Sequence, residues 1–410
     1  MRFAPGLSPM AAPVRGRAAG LTPPGRVVPQ GLIPQPQARL DDVTGWTLGD
    51  GWSPVPGALT KGTSGSNSHV IYEVAIPAGD VWLAYTVTGA TAGNASAHLL
   101  GPYQTGGFSN KVTAQHVARF SGGAHARLRV TGSTTFNGTI EDIQAVDMTA
   151  LLAQPTDIYI AAGQSLMAAE SKSTPVDPAK DYWVPRCLYL PGADVGTYGV
   201  KQDVPAACTA PLQMTQISQG VSPAQAFARE IEKSTAAGRT VTILACAKGG
   251  TRLVGADAHW NPSGTGATGG TLYAPMRDRA LAALAANPGN RVKALLWAQG
   301  ESDRSSAIDT VYPPAFAGML GQLRSDLGAP DMPAVILGPM PEDTSVHQTR
   351  FLQTQAALDQ DSGDATALPG VHYVARESGY MSPDGTHPEP EGNRIVGRAA
   401  ARRFVAEGYL

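Results

Sequence analysis

The chain has 410 residues, enough for two or three domains and at least one large core. Hydrophobic residues make up 42%, charged ones only 16%, and the formal net charge is −2, which removes any electrostatic case for nucleic acid or an anionic membrane as partner. No window supplies the roughly eighteen apolar residues of a membrane span, and Pro5, Gly6, Pro9 and Pro13 interrupt the apolar core that a secretory signal peptide requires.

In chain order, residues 1–40 form an extended arm rich in Pro, Gly and Arg, without a period of 2 or 3.6. Such an arm has no core of its own, so it is expected to dock on another protein chain; the alternative is an arm wrapped over its own domain. Residues 41–150 read as β. Alternating runs at His69–Ile76, Val81–Val87, His125–Val130 and Thr139–Val146 are separated by Gly, Asn, Pro and Ser clusters, as in an antiparallel, jelly-roll-like sandwich. That is the pattern of a carbohydrate-binding or assembly module. Trp46 and Trp52 either stack on sugar rings or fill the sandwich core, the second being the more ordinary role of a sandwich tryptophan.

From residue 151 to 410 strands alternate with helices, which predicts a parallel sheet covered on both faces. Strands are expected at Asp157–Ala162, Thr240–Ala247, Val292–Ala298 and Ala334–Gly338. Helices are expected at Pro223–Ala236, Tyr273–Ala286, Val311–Leu327, Thr349–Gln360 and Glu391–Ala406. Ser222 followed by Pro223 is a good helix start, a capping hydroxyl and then proline at the first helical position. Residues 168–220 break the rhythm as an irregular insertion with Trp183 among prolines and glycines, either a wall of a substrate cleft or a structural excursion with its own apolar cluster. Of the three cysteines, Cys246 lies in an apolar strand; Cys187 and Cys208 flank part of the insertion and are either bonded or free.

The chemistry-bearing residues follow strand ends. Gly163-Gln164-Ser165 leaves the first of these strands, Lys248-Gly249-Gly250-Thr251 the second, and Gln299-Gly300-Glu301-Ser302-Asp303 the third. Asp384-Gly385-Thr386-His387 precedes the last helix. The carboxyl ends of parallel strands are where ligands bind, so these blocks can converge. A serine, a histidine and a carboxylate are the parts of a nucleophilic hydrolase, in which the imidazole activates the hydroxyl and the carboxylate orients the imidazole. The serine is not in a Gly-x-Ser-x-Gly elbow. The histidines outside the fourth block show no metal-ligand spacing, and neither a metal nor another cofactor is expected.

The four blocks in this order resemble the SGNH hydrolase superfamily, most closely its sialate O-acetylesterase and acetylxylan esterase group (carbohydrate esterase family six), over roughly residues 155–410. The resemblance implies a three-layer αβα sheet and a serine carboxylic-ester hydrolase acting on an acetylated carbohydrate. By position it makes Ser165 the nucleophile, His387 the base and Asp384 its partner. The backbone N–H groups of Ser165 and of Gly249 or Gly250, with the side-chain amide of Gln299, would form the oxyanion hole. One such donor is typically worth about 3 kcal/mol in the transition state. Glu301 has either a triad-like or a supporting role, and Gln164, Arg252 and Trp183 are the expected substrate contacts. Leu166 and Ala298 depart from the Asn and His common at these positions. The expected function is removal of O-acetyl groups through an acetyl-enzyme. Its rival is a glycan-binding virion or surface spike component with little or no catalysis. The expected setting is extracellular or a virion surface, with the cytoplasm left open.

Overall fold

The computed structural model describes residues 46–55, 58–76, 81–100, 114–120, 125–169, 177, 180–195, 200–216, 218, 220–266 and 270–410. The arm at residues 1–40, the side chain of Trp46 and part of the insertion lie outside the described residues.

The β region consists of β1 (Trp46–Leu48), β2 (Trp52–Val55), β3 (Ala58–Lys61), β4 (Ser68–Ile76), β5 (Val81–Thr88), β6 (Ala95–Leu100), β7 (Ala114–Phe120), β8 (His125–Gly132) and β9 (Gly138–Asp147). They form a four-stranded sheet, β1-β4-β8-β6, and a five-stranded sheet, β2-β3-β9-β5-β7, antiparallel throughout. Trp52, Leu59, Val70, Leu83, Tyr85, Leu128, Val130 and Ile140 fill one core between them, so the two sheets are a sandwich. Trp52 is a core residue here, 6% exposed. Strand β5 is buried on both faces. Leu83, Tyr85 and Val87 face the sandwich core, whereas Trp82 and Ala84 join Val146, Met148, Leu151, Trp183 and Leu188 in a second cluster. That cluster joins the sandwich to the α/β region.

The α/β region runs through α1 (Met148–Leu152), β10 (Thr156–Gly163), α2 (Ser165–Ala168), β11 (Cys187–Leu190), β12 (Ala206–Ala207), α3 (Pro223–Ile231), β13 (Thr240–Ala245), α4 (Tyr273–Ala285), β14 (Arg291–Ala298), α5 (Ile308–Asp326), β15 (Ala334–Leu337), α6 (Gln348–Ala357), β16 (Val371–Val374) and α7 (Pro390–Ala406). The seven-stranded sheet has the order β12-β11-β13-β10-β14-β15-β16. All of its pairs are parallel except β11 with β12. Successive residues of β10 face opposite sides, as strand geometry demands. Ile158, Ile160 and Ala162 pack with Met276 of α4, Phe316 of α5 and Phe351 of α6. Tyr159 and Ala161 pack with Phe227 of α3 and Phe404 of α7. The result is a mixed α/β fold of three layers, helices–sheet–helices.

The start of α3 follows the sequence signal. The Ser222 hydroxyl accepts the Ala224 N–H at 3.2 Å and donates to the Met167 carbonyl at 2.8 Å, fixing α3 to the short helix α2. The insertion differs from expectation in one respect, since it supplies the sheet with β11, paired parallel to β13, and the antiparallel edge β12. Trp183, expected at the substrate, is instead 0% exposed. Its ring lies 5.4 Å from that of Trp82, and its indole N–H donates to the Cys187 carbonyl at 2.8 Å. It is a packing residue of the junction because the sandwich offers it an apolar partner. All three cysteines are free and buried.

Candidate active site

Strand β10 lies between β13 and β14, so the first three blocks emerge side by side at the carboxyl edge of the sheet. They are bonded to one another. The Gln164 N–H donates to the Ala298 carbonyl at 2.8 Å and the Lys248 N–H to the Gly163 carbonyl at 3.0 Å. Gly163 has φ +124, and a Cβ there would sit 2.0 Å from the Ala298 carbonyl oxygen. Only glycine permits this turn, and the turn brings Ser165 to the head of α2. Ser165 is 9% exposed.

The fourth block sits in a small hairpin between β16 and α7. An isolated bridge pairs Met381 with Pro388, the Ser382 N–H donates to the His387 carbonyl at 2.8 Å, and Gly385 takes φ +73 at the bend. Within it Asp384 Oδ1 accepts the Ser382 hydroxyl at 2.7 Å and the N–H groups of Thr386 and His387 at 3.0 Å each. Asp384 Oδ2 lies 2.7 Å from His387 Nδ1. Partial burial alone would raise the Asp384 carboxyl, but the hydrogen bonds outweigh it and hold the group far below the usual carboxylate range. An ionised carboxylate only accepts, so His387 carries its proton on Nδ1 and the neutral ring presents Nε2 as an acceptor.

Glu301 makes no hydrogen bond to His387. The residue is half-buried, its Oε2 is enclosed without a hydrogen-bond partner, and burial raises its carboxyl against the opposing pull of Arg304, Arg376 and His387. Arg376 was not signalled by the sequence. Its buried guanidinium donates to the Gly338 carbonyl at 2.7 Å, to Asn393 Oδ1 at 2.8 Å and to the Leu166 carbonyl at 3.5 Å. Burial lowers it to about 10, so it stays charged at neutral pH. It thus ties α2 to the end of β15 and to α7.

The expected oxyanion donors are not all available in this arrangement. The Gly249 N–H donates to Gln216 Oε1 at 2.8 Å. The Gln299 side chain, 1% exposed, donates to the Thr251 carbonyl at 3.0 Å and to Asp303 Oδ2 at 2.6 Å, so both amide hydrogens are used inside the protein. Its oxygen accepts from the Tyr312 hydroxyl at 3.1 Å. Gln299 is therefore a strut between two turns, because a buried amide takes the strongest acceptors within reach. The N–H groups of Ser165, which begins α2, and of Gly250 are not engaged elsewhere among the described residues. Gln164 is also turned inward, with its Oε1 3.5 Å from the Ser302 N–H. Arg252 remains at the rim, its side chain 51% exposed and 3.8 Å from Asp257. Leu166 packs in the core beside Tyr159, so no polar side chain stands at this position next to the serine.

Ligand atoms of Asp359, Asp361 and His372 lie within 4.8 Å of one another. Arg403 stands 2.7 Å from Asp361 and 3.8 Å from Asp359 and already supplies the positive charge there.

The architecture is a mixed α/β sheet covered on both faces, with Ser165 at the carboxyl edge of the sheet and Asp384 paired to His387 in a hairpin before the last helix. Residues 155–406 match the family of carbohydrate esterases described as sialic acid-specific acetylesterase, more than half of the chain. The chain belongs to that family and is a carbohydrate O-acetylesterase. None of the curated proteins compared matches closely enough to count as a relative. Among solved structures, a protein from Arabidopsis thaliana is 21% identical, with 62% of this chain and 100% of that one covered and a TM-score of 0.50; it is similar in fold alone. NanS is 18% identical, with 62% of this chain and 99% of that one covered and a TM-score of 0.47. A carbohydrate acetylesterase from Xanthomonas citri is 17% identical, with 85% and 74% covered and a TM-score of 0.43. No helix among the described residues is long and apolar enough to cross a membrane.

Proposed function

We propose that Ser165, His387 and Asp384 carry out the deacetylation. The Ser165 hydroxyl attacks the acetyl carbonyl and its proton passes to His387 Nε2. The tetrahedral oxyanion is held by the N–H groups of Ser165 and Gly250. As the C–O bond to the sugar breaks, His387 returns the proton to the departing hydroxyl, leaving acetyl-Ser165. Water then attacks, again through His387, and releases acetate. The observation that carries this reading is the 2.7 Å contact of Asp384 Oδ2 with His387 Nδ1, which leaves Nε2 as the proton acceptor. Glu301 is given the supporting role, its half-buried carboxyl interacting with the His387 imidazole electrostatically without a hydrogen bond to it. Arg252, half in solvent, is the substrate contact among the residues singled out, and it suits a sugar bearing a carboxylate. The sandwich is read as a jelly-roll-like binding or assembly module, with the boundary to the esterase near residue 150.

Hydrolysis of p-nitrophenyl acetate and of an acetylated glycan by the wild-type protein and by Ser165→Ala tests the assignment. Loss of about 10⁴-fold or more in kcat is expected for the variant. Turnover that survives the substitution removes Ser165 as nucleophile. The alternative of a non-catalytic glycan-binding component is not favoured, since the family match covers the esterase region. Glycan binding by a folded wild-type protein without turnover would restore it.

A further inference from the structure

Asp303 stands outside the residues that touch substrate, yet it is 9% exposed and its carboxylate is the meeting point of two strand-end turns. Asp303 Oδ2 accepts the Gln299 amide at 2.6 Å and the Leu253 N–H at 2.8 Å, and Oδ1 faces the Val254 N–H at 3.4 Å. The other Gln299 amide hydrogen goes to the Thr251 carbonyl at 3.0 Å. The segment from Thr251 to Val254 is thereby clamped by two side chains of the turn after β14. The opposite end of the same segment is held by Lys248 N–H on the Gly163 carbonyl at 3.0 Å and by Gly249 N–H on Gln216 at 2.8 Å.

Between these anchors lies Gly250, at φ +69, exposed, with nothing within 4 Å of where a Cβ would stand. No neighbour crowds the Cβ side of Gly250, and its N–H is not engaged elsewhere among the described residues, so the two ends of the turn set its direction. One end is fixed to the nucleophile strand, and the other is fixed through Asp303. Donors must sit within a few tenths of an ångström of the developing oxyanion to stabilise it.

We propose that Asp303 is a positioning residue for ester hydrolysis, which locks the turn after β13 to the turn after β14 and so aims the Gly250 N–H at the oxyanion. The proposal rests on the serine-esterase reading above. Its chemistry demands a carboxylate. An amide of the same shape has one accepting oxygen. Placed on Gln299 and Leu253 it sets its NH₂ against the Val254 N–H, and turned the other way it sets its NH₂ against both Gln299 and Leu253, so the clamp loosens on the Leu253–Val254 side in either case.

The test uses the full chain and Asp303→Asn, assayed with p-nitrophenyl acetate well below the melting temperature. Misalignment of one donor, short of its removal, predicts a kcat about 10- to 100-fold lower with KM within about twofold. The Ki of methylboronic acid, whose serine adduct places an oxygen in the oxyanion position, should rise by the same factor as kcat/KM falls. Loss of thermal stability with wild-type kcat and Ki would make Asp303 structural only and overturn the proposal. Should D303N not fold, Asp303→Glu keeps the charge and shifts it by one methylene, and a kcat within twofold of wild type then overturns it. Ser165→Ala assayed alongside separates the two failures. An inactive S165A beside a fully active D303N sinks only the role of Asp303, whereas an active S165A sinks the underlying reading.

Discussion

The two halves of the proposed active site are held by different means. On the Ser165 side, Ser165, Gln164, Gln299 and Asp303 are all buried, and the last three bond across neighbouring strand-end turns. On the base side Asp384 and His387 keep about a fifth of their side-chain surface in solvent, with exposures of 22% and 19%, and are held by bonds within one hairpin. The sheet sets the first half and a local turn sets the second. A nucleophile and its oxyanion donors need a rigid mount, whereas the imidazole needs access to the leaving sugar and to water. Substitutions on the base side should therefore remove chemistry and spare the fold. Those on the buried side should disturb both.

The largest effect that probes this contrast is expected from Asp384→Asn. Asn keeps an oxygen to accept the Ser382, Thr386 and His387 N–H or hydroxyl donors, so the hairpin survives. Its NH₂ replaces the acceptor at His387 Nδ1 and enforces the wrong tautomer, with the proton on Nε2. kcat should fall by up to about 10⁴-fold with the melting temperature nearly unchanged. Activity retained in D384N, with a comparable collapse in Glu301→Gln, would transfer the partner's role to Glu301.

Next in size is Trp183→Ala. Trp183 packs on Trp82 across the junction of sandwich and sheet. Truncation should cost about 3–5 kcal/mol of stability, seen as a lower unfolding midpoint, while the KM of the folded enzyme stays within about twofold. A raised KM with unchanged stability would return Trp183 to the cleft.

Trp183 also shows where the sequence stops being legible. A tryptophan among prolines and glycines reads as a surface aromatic, and its partner lies a hundred residues earlier in another sheet. The strands β10, β13 and β14 were readable because each is a long apolar run ended by a small or polar turn. Strands β11 (Cys187–Leu190) and β16 (Val371–Val374) are only four residues each and carry no such punctuation. Ser165 and the Asp384–His387 spacing were visible as motifs and as a family resemblance. The inward turn of Gln299 was not, since it depends on Thr251 and Asp303 both facing it, which only the folded backbone decides. The sequence likewise leaves Gly249 and Gly250 open as donors, and only the fold shows that the insertion's Gln216 takes up the Gly249 N–H.

The smallest effect has the opposite sign. Burial raises the Glu301 carboxyl even after the pull of Arg304, Arg376 and His387 is included, so the folded protein holds that proton more tightly than the unfolded chain does. Its contribution to stability is full below the ordinary carboxylate range and is lost as pH rises through the folded value. Ionisation of the group is thus a net cost to folding, and Gln, which resembles the protonated acid, removes that cost. Glu301→Gln should raise the melting temperature by a few degrees at pH 7 and leave it unchanged at about pH 4, where the wild-type carboxyl is itself protonated. Activity should move the other way, by about tenfold in kcat, if the buried charge favours the imidazolium. A variant destabilised at pH 7 would show that Arg376 needs Glu301 as counter-charge more than the carboxylate suffers from burial. In that case the base side would be tied to the buried framework after all.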